Sequence, residues 1–370
     1  MKIKPFKLER YFAKYEFSAP YLLSCSDCEP LTLKELLSYA DEESMQLYNN
    51  LWLGYTESQG NPILRQEITK LHTQIKKDNI VVLAPEEGIF IALNVLLEQK
   101  DHVVVTYPGY QSLYEIANSI GCEVSKWLPR KEDMNFHIED LEKLFKPQTK
   151  LLIINFPHNP TGYIPSREDY KKIIEMVRER GIYLLSDEMY RFLEYNSSNR
   201  LPSACDLYEK AICLFGMSKS FALAGLRIGW LTTQDKDLYK EICDFKDYTT
   251  ICSSAPSEVL SIIALRSKDK ILQRNLSIIN DNLRVLEKFF DKFPKVFKWH
   301  KPLAGTIAFP ELINGQKALD FAQDLVKKKG VMLLPSDVYD YDGQNLRFGF
   351  GRRNMQEALA KLEEYINSLQ

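Results

Sequence analysis

No apolar run in the 370 residues approaches the ~20 residues a membrane span needs; the longest, such as 89–97, fall far short. An excess of charge is also missing. Lys+Arg 48 against Asp+Glu 50 leaves a net charge of -2, so there is no broad electrostatic footprint for nucleic acid or an anionic membrane surface. Met1 to Arg10 is polar and lacks the apolar core of a signal peptide, which points to a chain that is not secreted. In that setting the seven cysteines read as reduced thiols of a cytoplasmic protein. Cys25 and Cys28 form one C-x-x-C, but no second pair follows at zinc-ribbon spacing and no thioredoxin-like context surrounds it. No metal site is therefore expected. Internal repeats, low-complexity tracts and long flexible linkers are lacking too. What remains is the composition of a globular protein, 45% apolar and 26% charged, long enough for a large domain and a smaller one.

Between residue 79 and about 232, short apolar runs alternate with amphipathic stretches. The runs 79–83, 101–106, 150–155, 182–186, 211–215 and 227–232 are bounded by Gly, Pro or charge and read as strands. Helical patterns lie between them at 88–98, 110–120 and 167–180, the last opened by Ser166 and closed by Gly181. This alternation predicts an α/β domain with a mostly parallel sheet, covered on both faces where the runs are continuously apolar. After about residue 254 the pattern changes to long helix over 257–290. A smaller α+β block follows, with strands at 305–309, 331–334 and 345–350, a helix over 317–328 and a terminal helix from about Met355. The first ~45 residues fit neither rhythm and are expected to pack with the C-terminal block. The expected division is a large α/β domain over 46–265 and a small α+β domain made of 1–45 and 266–370.

Chemistry concentrates at the predicted strand ends, where open α/β sheets place their ligands. Lys219 follows the strand 211–215. A lysine amine forms a Schiff base with a carbonyl only while neutral, and burial or a nearby cation lowers its pKa. Arg227, eight residues on, offers a guanidinium suited to bidentate phosphate binding. By itself the segment also reads as an ordinary charged surface loop. The full run, Ser218-Lys219-Ser220-Phe221-Ala222-Leu223-Ala224-Gly225-Leu226-Arg227-Ile228-Gly229, resembles the cofactor-lysine signature of the class I/II aminotransferases, pyridoxal-phosphate enzymes of fold type I. The resemblance implies that Lys219 carries pyridoxal phosphate and that Arg227 grips its phosphate. One departure stands out. Three residues before the lysine the family often has a hydroxyl donor, and here it is Gly216, so either Ser218 compensates or one donor is missing.

Other segments extend the resemblance. His158-Asn159-Pro160-Thr161-Gly162 is ordinary turn chemistry when read alone. It is also similar to the family's N-P-T-G, which assigns Asn159 to the cofactor's 3'-oxygen and to the substrate site. Ser186-Asp187-Glu188-Met189-Tyr190 resembles D-E-x-Y, which assigns Asp187 to the pyridine nitrogen and Tyr190 to the 3'-oxygen. A carboxylate beside the ring nitrogen favours its protonated form, the better electron sink. Glu188 should point to the opposite side of an extended backbone. Tyr107-Pro108-Gly109-Tyr110 reads alone as core packing at a helix start, and it resembles the family's P-x-aromatic element, which makes Tyr110 the candidate ring to stack on the cofactor. At Ala84-Pro85-Glu86-Glu87-Gly88 a helix N-terminus could offer the amides of Glu86 and Glu87 to phosphate, although Pro85 has no N–H and the carboxylates must turn away. Tyr55, with Gly60, Leu64 and Arg65 after it, resembles a segment whose tyrosine reaches the neighbouring subunit's phosphate. Arg347, in Asn345-Leu346-Arg347-Phe348-Gly349, matches the arginine that binds the substrate α-carboxylate, with Arg352 and Arg353 close by.

The resemblance runs from about Tyr55 to Arg347. It implies a homodimer with shared active sites and transfer of an amino group between an amino acid and a 2-oxo acid, with Lys219 moving the α-proton. Elimination or cyclisation on the same fold is the alternative, because fold and cofactor do not fix the reaction. A binding module without turnover is a further one, disfavoured by the lysine and by the lack of any appended DNA-binding segment. The substrate side chain has no motif; its contacts are expected in the N-terminal segment, around Tyr21 or Asp27.

Overall fold

The computed structural model describes residues 2–369. Seven strands form the central sheet: β1 Ile80–Leu83, β2 His102–Thr106, β3 Glu123–Trp127, β4 Thr149–Asn155, β5 Tyr183–Asp187, β6 Ala211–Gly216 and β7 Gly229–Thr233. Their spatial order is β1-β7-β6-β5-β4-β2-β3. The run from β6 to β3 is parallel, and β7 lies antiparallel to both β6 and β1. Side chains alternate between two cores with the period of two that a strand imposes. Val103, Val105, Leu151 and Ile153 join one core, and Val104, Leu152 and Ile154 join the other. The sheet is thus covered on both faces, by the helices Pro85–Leu96, Ser112–Ile120 and Arg167–Glu179 among others. Ser166 caps the third of these, accepting from the Asp169 N–H at 3.0 Å, and Gly181 beyond its end takes φ +64.

In the central sheet, β3 is the one strand that the sequence pattern does not announce. It lies at the sheet edge with only Trp127 buried, so no apolar run marks it. The expected helix at 257–290 is two, Ala255–Arg266 and Lys268–Lys292, meeting at Ser267. In the smaller α+β unit the strands are shorter than expected: Ile307–Ala308, Leu334–Pro335 and Leu346–Gly349 form one small sheet. Val331 lies outside it and bridges Tyr21 instead. The N-terminal segment continues along this unit, with Gly349 N–H donating to the Leu23 carbonyl and Glu29 N–H to that of Gly351, both at 2.8 Å.

The antiparallel β7 has a consequence for chemistry. Its first residue, Gly229, pairs with Gly216 at the end of β6 and with Leu83 at the end of β1. The C-terminal ends of β1, β2, β4, β5 and β6 and the N-terminal end of β7 therefore meet at one edge of the sheet. Segments far apart in sequence converge there.

Candidate active site

A cavity of about 370 Å³ opens at that edge. Asn155 and Asn159 reach it from β4, Asp187 and Tyr190 from β5, and Ser218, Lys219 and Arg227 from the β6–β7 connection. Glu86 follows β1 and Tyr110 follows β2. Arg347 enters from the small unit, and Glu9, Glu16 and Asp27 from the N-terminal segment. Tyr55, Glu87 and Tyr21 do not line it.

Lys219 is enclosed, and its Nζ donates to Ser26 Oγ at 2.8 Å. Burial pulls its pKa down, and the nearby Arg347 guanidinium adds to that, while Asp27 works against both. The amine is thereby held nearer neutrality than an exposed lysine, as nucleophilic attack on a carbonyl requires.

Asp187 is buried at the end of β5, one Oδ1 accepting from the Met189 N–H at 3.0 Å. Burial pushes its pKa up to about 7, against the lowering effects of that hydrogen bond and of Lys219. Glu188 faces away, as the extended backbone demands: its Oε1 accepts from Ser203 Oγ at 3.0 Å and from the Ala204 N–H at 2.9 Å. Tyr190 is 2% exposed, and its hydroxyl has no hydrogen-bond partner among the described residues. Asn159 is pinned through its N–H to Asn155 Oδ1 at 2.8 Å.

Gly216, at the end of β6, is tightly packed, and a side chain there would press on its neighbours. A Cβ there would lie 3.0 Å from both Gly229 Cα and Pro85 Cγ. The close approach of β6 to β7 thus explains the glycine, and leaves Ser218 as the hydroxyl lining this end. Arg227 adopts a left-handed φ of 51 and has an exposed guanidinium whose NH1 donates to the Ala224 carbonyl at 3.1 Å. Pro85 and Glu86 open the helix Pro85–Leu96. Glu86 turns into the cavity, where burial raises its pKa. Glu87 turns out, accepting from Thr250 Oγ1 at 2.7 Å.

Arg347 is 1% exposed. Its Nε and NH2 donate to the Ser24 carbonyl at 3.2 and 2.8 Å, and its NH1 to Tyr339 Oη at 2.8 Å and to Asn159 Oδ1 at 3.3 Å. Tyr339, Asn155 and Ser26 are contributors that no motif announced. Cys25 lines the cavity and Cys28 is buried nearby; burial raises both thiols, Cys25 to about 11, so neither is a ready thiolate. Among the described residues no cluster of His, Cys, Asp and Glu could hold a metal.

These side chains fit the group that the sequence motifs imply. A buried carboxylate pushed to about 7 lacks a counter-charge that a protonated ring nitrogen would supply. The orphaned Tyr190 hydroxyl lacks a partner that a ring oxygen would provide. The Arg227 guanidinium, which makes no ion pair among the described residues, matches a phosphate. Among the described residues, Lys219 is the one amine lining the cavity.

Residues 23–362 match the family model for aminotransferases of class I and II. Over 352 residues the chain is 27% identical to an aspartate aminotransferase of Pyrococcus horikoshii, covering 91% of this chain and 87% of that protein. The crystal structure of a PLP-dependent aminotransferase from Streptococcus suis superposes with TM-score 0.93 at 29% identity, over 100% of this chain and 99% of the other. A PLP-dependent cyclase, OrfR, shares the fold with TM-score 0.91 at 23% identity, over 100% and 99% of the two chains.

Proposed function

The chain belongs to the class I and II aminotransferases, enzymes that use pyridoxal phosphate to move an amino group between an amino acid and a 2-oxo acid, and we propose that the cavity at the sheet edge is where it does so. The observation that carries this reading is the enclosure of Lys219, Asp187 and Arg347 around one space. Bound there, pyridoxal phosphate supplies the electron sink for the bond broken at the substrate α-carbon. Arg227, with Ser218 and the amides that open the helix Pro85–Leu96, takes the phosphate. Asp187 would keep the ring nitrogen protonated, Tyr190 and Asn159 would hold the 3'-oxygen, and Tyr110 would stack on the ring; all four line the cavity. Arg347 grips the α-carboxylate, which fixes the α-carbon beside Lys219, and the Nζ of Lys219 takes the α-proton and returns it. The large domain in this reading spans 46–265 and the small one 1–45 with 266–370, so Arg347 and Lys219 come from different domains.

Reaction type is tested by mass balance. With an amino acid and a 2-oxo acid together, transamination yields one new amino acid for each one consumed and releases no ammonia. Ammonia release, or a cyclised product without an acceptor, would replace this reading with elimination or cyclisation; the fold shared with a cyclase is what keeps that alternative alive.

Arg347→Lys should raise KM for the amino acid by about tenfold to hundredfold, since an ammonium cannot copy the two-pronged contact of a guanidinium with a carboxylate. Cofactor affinity should hardly change. Collapse of cofactor affinity with KM unaltered would move Arg347 out of the substrate site.

We also infer a homodimer. Tyr55, Trp52 and Leu53 are 86%, 78% and 79% exposed and Tyr248 is 91% exposed, an apolar group that a second copy would cover. In such a dimer Tyr55 serves the partner's phosphate. Tyr55→Ala and Lys219→Ala proteins, mixed and refolded together, should then give more activity than the average of the two parents, because hybrids contain one intact site. Confirmed hybrids with no such gain would show that the sites are not shared. A cytoplasmic location is part of the same reading, supported by the seven cysteines, all free.

A further inference from the structure

Resting on that reading of the site, we propose that the amino-acid substrate carries a cationic side chain, an ammonium or guanidinium on an aliphatic stem, and that Glu9 and Glu16 hold it. The charges of the cavity do not balance without one. Its cationic side chains are Lys219, Arg227, Arg347 and Arg352, and its carboxylates are Glu9, Glu16, Asp27, Glu86 and Asp187. Arg352 is already taken, its NH2 donating to both oxygens of Asp27 at 3.0 and 2.9 Å. Cofactor and substrate α-carboxylate occupy Lys219, Arg227, Arg347 and Asp187. Glu86 accepts from Ser112 Oγ at 3.4 Å, and burial favours its neutral form. Glu9 and Glu16 are left over.

Neither forms an ion pair among the described residues. Glu9 accepts only from the neutral Tyr110 hydroxyl, at 3.3 Å, and the Glu16 carboxylate has no hydrogen-bond partner among the described residues. Both belong to the N-terminal helix Lys7–Tyr15, Glu9 in its first turn and Glu16 as its C-terminal cap. A carboxylate at that end meets the negative pole of the helix, so Glu16 does nothing for the helix it terminates. Partial burial raises its pKa, and the charges of Glu9 and Asp27 raise it further, against the lowering effects of Arg352 and Lys219. An incoming cation would offset the two carboxylate charges. Leu8 and Phe12 line the same cavity and lie beside the two carboxylates on the helix surface, where an alkyl stem would pack. An acidic side chain, by contrast, would meet Glu9 and Glu16 with no unpaired cation to receive it.

The test compares matched pairs on the purified holoenzyme: arginine against citrulline and lysine against norleucine, with aspartate as the acidic case. Two quantities are read, the affinity from titration of the cofactor absorbance and kcat/KM for 2-oxo acid formation. The cationic member of a pair should win by at least about tenfold in both. Glu16→Gln, a change on a partly exposed helix end that should leave cofactor absorbance intact, should shrink the arginine-to-citrulline ratio about tenfold. Equal or better use of citrulline, norleucine or aspartate would overturn the proposal while leaving the aminotransferase reading standing. So would an arginine-to-citrulline ratio that Glu16→Gln does not change. Selective binding of the cationic amino acids without any 2-oxo acid would do the reverse, keeping the specificity and removing the reaction. Binding of none of them would overturn the proposal and leave the aminotransferase reading to be tested with other amino acids.

Discussion

Replacing Lys219 with alanine should abolish turnover, by at least about 10⁴-fold, and remove the visible absorbance band that the lysine-linked cofactor gives. The size of the effect follows from the number of things one amine does. In the proposed reading the same amine would hold the cofactor and would take and return the α-proton. The site supplies little to replace it. The other cations lining the cavity are the guanidiniums of Arg227, Arg347 and Arg352, a group that does not serve as a base. Cofactor should nevertheless be retained, because the phosphate contacts proposed for Arg227 and Ser218 would not involve the lysine. The measurement is therefore paired: initial rate with amino acid and 2-oxo acid, and cofactor content after dialysis. A variant that retained normal turnover without added amines would mean that the base lies elsewhere and that the environment lowering the Lys219 pKa has another purpose.

How far the sequence alone reaches is visible in which parts of this site it misses. β4, β5 and β6 are buried on both faces, so composition forces them into apolar runs that end abruptly where the chemistry begins, at Asn155, Asp187 and Gly216. Motifs placed directly after such runs inherit a predictable position. β3 escapes because an edge strand is free to be polar. The N-terminal contributors escape for a different reason. Ser26 meets Lys219 across 193 positions of chain, and Ser24 meets Arg347 across 323. No local pattern records such a contact; it exists only because the small unit folds back over the sheet edge. The substrate side chain was expected around Tyr21 or Asp27. Asp27 does line the cavity, but it is spent on Arg352, while Tyr21 bridges Val331 in the small unit. Glu9 and Glu16 carried no sequence signal, and the helix Lys7–Tyr15 that brings them together is known only from the structure. Glu86 and Glu87 show the limit at finer grain. Adjacent residues of identical chemistry end up inside and outside the cavity, because one helical step of about 100° separates them.

Asp187→Asn should cut the half-reaction rate by orders of magnitude and yet make the protein more stable when it is stripped of cofactor. Both halves follow from the same burial. Asn keeps the shape and can go on accepting from the Met189 N–H, so packing is conserved. It cannot supply the negative charge that holds a proton on the ring nitrogen, and the electron sink weakens accordingly. For stability the sign runs the other way. The folded pKa of Asp187, about 7, lies above its ordinary value of 3.8, so folding favours the protonated acid. Its contribution to stability is fully present below pH 3.8 and is lost as pH rises through about 7. At pH 8 the ionised, buried carboxylate costs the stripped wild-type protein on the order of a few kcal/mol at most, since each tenfold change in proton affinity corresponds to about 1.4 kcal/mol. Asn does not bear that cost. Thermal unfolding of the stripped proteins at pH 5 and pH 8 should therefore show the advantage of Asp187→Asn growing with pH. Bound cofactor should shrink or reverse it in the wild-type protein's favour, because a protonated ring nitrogen pairs with the carboxylate and not with the amide. An unchanged half-reaction rate would remove Asp187 from the ring nitrogen. A stability difference that did not grow between pH 5 and pH 8 would show that the carboxylate is not held near neutrality by burial.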